Sequence, residues 1–364
     1  IDQQAATDRD AAGIGLKWNG CERRGWRRSF AGGNNNRQWQ QVLQSVHMEN
    51  SDTKRRGFAA MLAGGEPIVI DGGLATQCEA MGCNIDGELW SGVLLRDDPA
   101  ALIAAHRAYL EAGAQIIATA SYQASRQGFM AEGSTEEEAD RLIASSVSLA
   151  AQARDEFMQE NPDAPWPLVA SSIGPYGAIL HDGSEYTGNY DIDAEGLEKF
   201  HSERLAVLDC SGADLLACET IPSRVEAIVL ANLLAQASRP SWVSFSCRDE
   251  CHLADGTPLV EVASLFSSHP TVLALGVNCI PPENVLPLID LLKSATPGKS
   301  IVVYPNSGEI YRSEDNAWLG TATPLQCERA AQDWIGGGAQ LVGGCCRIGP
   351  EQIAAMSQSV MNRG

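Results

Sequence analysis

Cys279, Cys345 and Cys346 are the residues of this chain whose type and placing point most directly to chemistry. Each lies at the end of a short apolar run: residues 273–277 lead through Asn278 into Cys279, and residues 339–342 lead through Gly343-Gly344 into Cys345-Cys346. Runs of this kind read as buried strands. Parallel neighbouring strands in one sheet would bring their carboxyl ends to one edge, and three thiols would converge there. Three thiolates with a fourth position open form a catalytic rather than a structural zinc arrangement. Adjacent strand residues point to opposite faces, so two neighbouring ligands require the strand to end and turn at Cys345, which the glycine pair permits. The spacing is not the tight paired-cysteine pattern of a zinc finger. A vicinal disulfide, or two small apolar residues of which one faces a cavity, is the competing reading.

Zinc with three thiolates carries net negative charge, which makes it poor at activating water but good at holding a fourth, reactive thiolate. Alkyl transfer to sulfur is the natural reaction of such a site. Asp71 and Glu219 end two other apolar runs and could each accept hydrogen bonds from an ammonium group, while the Gly72-Gly73 turn could offer backbone N–H groups to a carboxylate. Trp90 and Tyr122 could face a cationic methyl donor through their rings. Plainer roles compete: Glu219-Thr220 as a helix cap before Pro222, Asp71-Gly72-Gly73 as a tight turn, the two aromatics as core packing. Cys247, Cys251 and His252 form a rival metal cluster in a polar loop.

Positioning these groups requires a sheet with one functional edge. Apolar runs at 68–71, 115–119, 168–172, 215–219, 242–246, 273–277, 301–304 and 341–342 alternate with helical stretches at 99–112, 135–159, 194–210, 223–236, 258–267, 282–294, 324–335 and 350–361. Strict alternation demands parallel strands with right-handed crossovers, and eight repeats are the number at which the sheet closes. The expected fold is an α/β (β/α)₈ TIM barrel over residues 61–364. An open doubly wound sheet is the alternative, but the first strand-to-helix turn lacks GxGxxG. In a barrel the chemistry gathers at the strands' carboxyl ends, where Asp71, Tyr122, Ser172, Glu219, Asn278, Asn306 and the thiols all fall.

The 364 residues carry a formal charge of −20. Residues 1–47 hold seven Lys/Arg against four Asp/Glu, a surplus of three, so the remainder carries −23. An acidic body repels phosphate backbones and anionic lipid, which excludes nucleic acid and membrane as expected partners and favours small molecules. The sequence shows no apolar run of about twenty residues and no charged-then-apolar leader, so the expected location is cytoplasmic. Eleven scattered cysteines without framework spacing are expected to be thiols in a reducing compartment. Residues 1–60, with Ala31-Gly32-Gly33-Asn34-Asn35-Asn36 and the cluster Arg23, Arg24, Arg27, Arg28, lack a sustained apolar period and are expected to be a disordered or extraneous extension.

Residues 67–361 resemble the homocysteine S-methyltransferase family. The resemblance is carried by Asp71-Gly72-Gly73-Leu74-Ala75-Thr76, Leu89-Trp90-Ser91, Ser172-Ile173-Gly174-Pro175-Tyr176-Gly177, Glu219-Thr220-Ile221-Pro222, Gly276-Val277-Asn278-Cys279, Tyr304-Pro305-Asn306-Ser307-Gly308-Glu309 and Gly343-Gly344-Cys345-Cys346-Arg347. It implies zinc (Zn²⁺) held by Cys279, Cys345 and Cys346, with homocysteine supplying the fourth sulfur. It further implies that Glu219 and Asp71 bind the substrate amino group, assisted by backbone around Gly73 and by Asn278. Within the family the chain is most similar to the branch using S-methylmethionine or S-adenosylmethionine, rather than betaine or a cobalamin module. A selenocysteine acceptor, a structural-zinc binding protein with Cys247 as fourth ligand, and a metal-free hydrolase using Asp71 and Glu219 are the alternatives. Zinc dependence and thiol binding would separate them.

Overall fold

The first strand, β1 (Ile68–Val69), is only two residues long, yet it is the seam of a ring. β2 (Ile116–Ala118), β3 (Leu168–Ile173), β4 (Leu215–Ile221), β5 (Ser241–Phe245), β6 (Val272–Asn278) and β7 (Ser300–Tyr304) each pair in parallel with the next, as the alternating pattern predicts. A hairpin of β8 (Ile310–Arg312) and β9 (Ala317–Leu319) follows, outside the main sheet and not foreseen. β10 (Leu341–Val342) then inserts between β7 and β1. The Ile70–Ile116 bridge, with Asp71 N–H donating to the Ile116 carbonyl (3.0 Å) and Gln115 N–H to that of Val69 (2.7 Å), joins the two ends of the sheet. The result is the expected eight-stranded parallel barrel. This computed structural model describes residues 55–361 except 86–88, 309, 313–316 and 320–322.

Strands β3, β4 and β5 are buried at every position, because a parallel barrel is covered on both faces. Successive side chains still alternate. Ile68, Ile116, Leu168, Leu215, Trp242, Val302 and Leu341 pack together as one cluster within the ring. Val69, Ile117, Val169, Leu216, Val243, Val303 and Val342 face the helices in another. The helix Phe58–Ala63 belongs to the barrel, since Phe58 is buried against Trp242 (ring centroids 6.0 Å apart). The folded part therefore reaches into the stretch assigned to the extension; residues 1–54 lie outside the described residues. Gly276 lets β6 and β7 approach, because a side chain there would overlap the Val302 backbone.

Helix starts follow local capping chemistry. Thr135 and Thr323 form capping boxes with Glu138 and Gln326 for the helices Glu136–Glu160 and Pro324–Gly337. Ser223, not Glu219, caps Arg224–Leu234, so the capping alternative for Glu219 does not hold. The stretch expected to be helical over 258–267 is shorter, Leu259–Ser264. Among the described residues no helix is long and apolar enough to cross a membrane.

Candidate active site

β6 and β10 deliver the thiols. β6 ends at Asn278, and Cys279 turns away with φ 51°, its N–H donating to the Tyr304 carbonyl (3.3 Å). After β10, Gly343 and Gly344 pass so close to Ile70, Asp71 and Ile348 that side chains would collide. Cys345 N–H then bonds the Pro305 carbonyl (2.9 Å) and Cys346 N–H the Asn306 side chain (3.2 Å). Arg347 adopts φ 66° and its N–H reaches Thr76 Oγ1 (3.0 Å). The strand thus ends and turns where two adjacent ligands require it. All three sulfurs lie within 4.8 Å of one another, and no other His, Cys, Asp or Glu among the described residues joins them.

Tetrahedral zinc–thiolate bonds of about 2.3 Å place ligand sulfurs roughly 3.8 Å apart. The Cys279 and Cys346 sulfurs are 3.9 Å apart, the spacing that a shared metal requires. Cys279 and Cys345 are joined by a disulfide, a departure from the thiols expected throughout, and this pair must be reduced before it can ligate. Burial pushes the Cys346 thiol up to about 11, so an uncompensated thiolate is disfavoured and a metal cation is the group that would offset it. The donor set fits zinc.

The carboxylates stand on the same rim. Asp71 is buried, and its Oδ2 accepts the Ala118 N–H (2.7 Å). Glu219 sits where the β4–β5 register skips, between the Cys218–Val243 and Ile221–Phe245 pairs, with Thr220 at φ 61°. Ser172 and Tyr304 hydroxyls bond its carboxylate. Burial raises both acids, Glu219 to about 7 despite those hydrogen bonds, and Asp71 well above the usual range with Glu219's charge adding to the effect. Two desolvated acids with no paired basic side chain among the described residues are prepared for a cationic ligand.

Both acids, Tyr122, Cys279, Cys345 and Cys346 line one cavity of about 360 Å³. Gly72 and Gly73 line it too, but the Gly73 N–H is spent on the Ile348 carbonyl (2.9 Å) and is not free for a substrate carboxylate. Tyr109 Oη donates to the Gly73 carbonyl (2.8 Å) and also lies 3.1 Å from the Ile348 carbonyl, so this turn is locked to the loop carrying Cys345. Asn278 stands behind the wall. Its Oδ1 accepts from Thr220 N–H and Ser244 Oγ, and its Nδ2 donates to Thr220 Oγ1, all at 2.7 Å, with the Cys345 sulfur 4.0 Å from Nδ2. It holds the bulge that aims Glu219. Trp90 opens the 3₁₀ turn Trp90–Val93, and its side chain lies outside the described residues, as does Glu309.

Cys247 is buried and belongs to neither group of converging ligands; the rival group is instead Asp249, Cys251 and His252. The structural-zinc reading with Cys247 as fourth ligand therefore lacks its ligand. Sequence reasoning missed Thr76, Glu185 and Tyr186, which also line the cavity. For Glu185 and Tyr186 the signal was a twenty-residue connection, 174–193, at the functional end of β3, longer than a barrel loop needs.

With this geometry in place, comparison with known proteins decides the family: residues 68–360 match the model described as homocysteine S-methyltransferase. The chain belongs to the homocysteine S-methyltransferase family. It is 47% identical over 300 residues to homocysteine S-methyltransferase YbgG of Bacillus subtilis, covering 80% of this chain and 95% of that one. It is 44% identical over 301 residues to the homocysteine S-methyltransferase of Escherichia coli, covering 82% and 96%. Among solved structures, the metallated form of the E. coli homocysteine methyltransferase MmuM superposes with a TM-score of 0.74 at 43% identity, covering 82% of this chain and 98% of that one. The oxidised form of MmuM gives 0.76 at 42% identity, covering 84% and 99%. The chain is accordingly a methyltransferase.

Proposed function

We propose that this enzyme moves a methyl group from a sulfonium donor, S-methylmethionine or S-adenosylmethionine, to the thiol of L-homocysteine, with zinc held by Cys279, Cys345 and Cys346. The observation carrying this reading is the placing of three sulfurs, within 4.8 Å of one another, on the wall that also bears Asp71 and Glu219. Bound there, zinc would supply the positive charge that keeps a substrate thiol deprotonated at neutral pH.

Asp71 and Glu219 take the homocysteine ammonium as carboxylates, and so fix the distance from head group to sulfur. Asn278 keeps Glu219 aimed by holding Thr220. The substrate sulfur attacks the donor's methyl carbon in line; one C–S bond forms while the sulfonium C–S bond breaks, and the electron pair leaves on a neutral thioether. No general acid is needed. The protein contributes orientation and exclusion of water. A site that needs three reduced thiols suits a reducing compartment such as the cytoplasm.

The test is methionine formation from homocysteine by zinc-loaded, reduced protein, with S-methylmethionine, S-adenosylmethionine or betaine as donor. Turnover with either sulfonium supports the reading. Turnover with betaine alone would replace the donor class, and turnover undiminished by a chelator would remove the metal.

A further inference from the structure

Four acids line the cavity, and the reading above uses two of them. Glu79 is paired with Arg347 (3.5 Å), and Asp71 and Glu219 are assigned to the homocysteine ammonium. Glu185 is left over. Its Oε2 is fully buried and meets no hydrogen-bond donor among the described residues, although Glu185 lines the cavity. The basic group whose charge it feels is His181, an exposed side chain. A buried carboxylate oxygen with no donor is costly unless a ligand supplies the partner.

The surrounding loop is built to hold that carboxylate still. Glu185 lies in the 3₁₀ turn Ser184–Tyr186, where Asp182 Oδ1 accepts the Ser184 N–H (2.9 Å) and the Ser184 carbonyl accepts Thr187 N–H (3.0 Å) and Gly188 N–H (2.8 Å). Buried Glu226 anchors the loop's two flanks, accepting from Tyr176 N–H (2.7 Å) and the Tyr190 hydroxyl (3.0 Å). The next residue, Tyr186, brings its hydroxyl to the Cys346 thiol. The turn that carries Glu185 therefore borders Cys346. Asp71 and Glu219 already meet the homocysteine ammonium in this cavity, so the cation left for Glu185 is the methyl donor.

We propose that Glu185 is the counter-charge for the cationic methyl donor, and that the Ser184–Tyr186 turn is what makes the site accept an onium donor. This rests on the sulfonium reading above. The experiment is Glu185→Gln, with Glu185→Asp beside it, in zinc-loaded reduced protein. KM for S-methylmethionine should rise on the order of tenfold to a hundredfold in Glu185→Gln, with KM for homocysteine and zinc content unchanged. Glu185→Asp should recover part of the loss. Calorimetric titration of S-methylmethionine alone should weaken in parallel, which a merely structural role in the turn would not produce. Unchanged donor KM and donor binding in Glu185→Gln, or equal losses in both variants, would overturn the assignment. Absence of sulfonium turnover in the unaltered enzyme would instead overturn the donor reading on which it rests.

Discussion

Glu219→Gln separates charge from shape at the floor of the site. Glutamine keeps the length and one carbonyl oxygen, so the Ser172 and Tyr304 hydroxyls keep an acceptor, but no negative charge meets the homocysteine ammonium. Removing one partner of a buried ion pair costs about 3–5 kcal/mol. Asp71 shares the ammonium and the amide oxygen still accepts, so about 2–3 kcal/mol is the expected loss, or roughly 30- to 150-fold in KM for homocysteine at pH 8. Glu219 titrates at about 7, so only the ionised fraction binds. At pH 6 roughly a tenth of it is ionised, and the ratio of variant to unaltered KM should shrink about tenfold.

Stability should move the other way. The folded value lies above the ordinary 4.5, so the acid's contribution is fully present below 4.5 and is lost as pH rises through about 7. Without substrate, Glu219→Gln should therefore gain up to roughly 3 kcal/mol at pH 8, read from urea unfolding, and gain nothing at pH 4. Initial rates with homocysteine varied at saturating donor, at both pH values, check the binding half. A pH 8 ratio within about threefold of unity, or a ratio independent of pH, would refute the ammonium role.

Three further outcomes follow from the same geometry. Cys279→Ser and Cys345→Ser should each lose bound zinc, by elemental analysis, together with methyl transfer; retention of both properties would remove that residue from the metal site. Asn278→Ala strands the Thr220 N–H and frees the φ 61° bulge, so it should cost about 3 kcal/mol in urea unfolding and reduce turnover even where the protein stays folded. An unchanged unfolding midpoint would contradict that bracing role. Gly276→Ala should lower the midpoint further, because its methyl would occupy the Val302 backbone and force β6 from β7; a midpoint matching the unaltered protein would mean that the strands part easily.

The barrel was legible because its strands are continuous apolar runs separated by helices, and that alternation has one closed solution. The thiols were legible because glycines and cysteines at strand ends carry few other meanings. What stayed hidden depends on backbone detail. The bulge at Glu219-Thr220 is invisible in an unbroken run of seven buried residues, and with it the bracing role of Asn278. The Gly73 N–H looked available because its partner, the Ile348 carbonyl, lies far along the chain. Glu185 and Tyr186 escaped because an irregular loop has no period to read. Phe58, Met61 and Leu62 make one six-residue helix before the first strand, too short a signal to separate it from the extension.

The central claim is that homocysteine's sulfur completes the thiolate set of Cys279, Cys345 and Cys346. Zinc-edge X-ray absorption of the reduced, zinc-loaded protein counts the sulfurs directly, before and after homocysteine is added. The expected result is three sulfurs and one lighter ligand alone, and four sulfurs with homocysteine, at about 2.3 Å. Four protein sulfurs at the outset, or three that never become four, would contradict it.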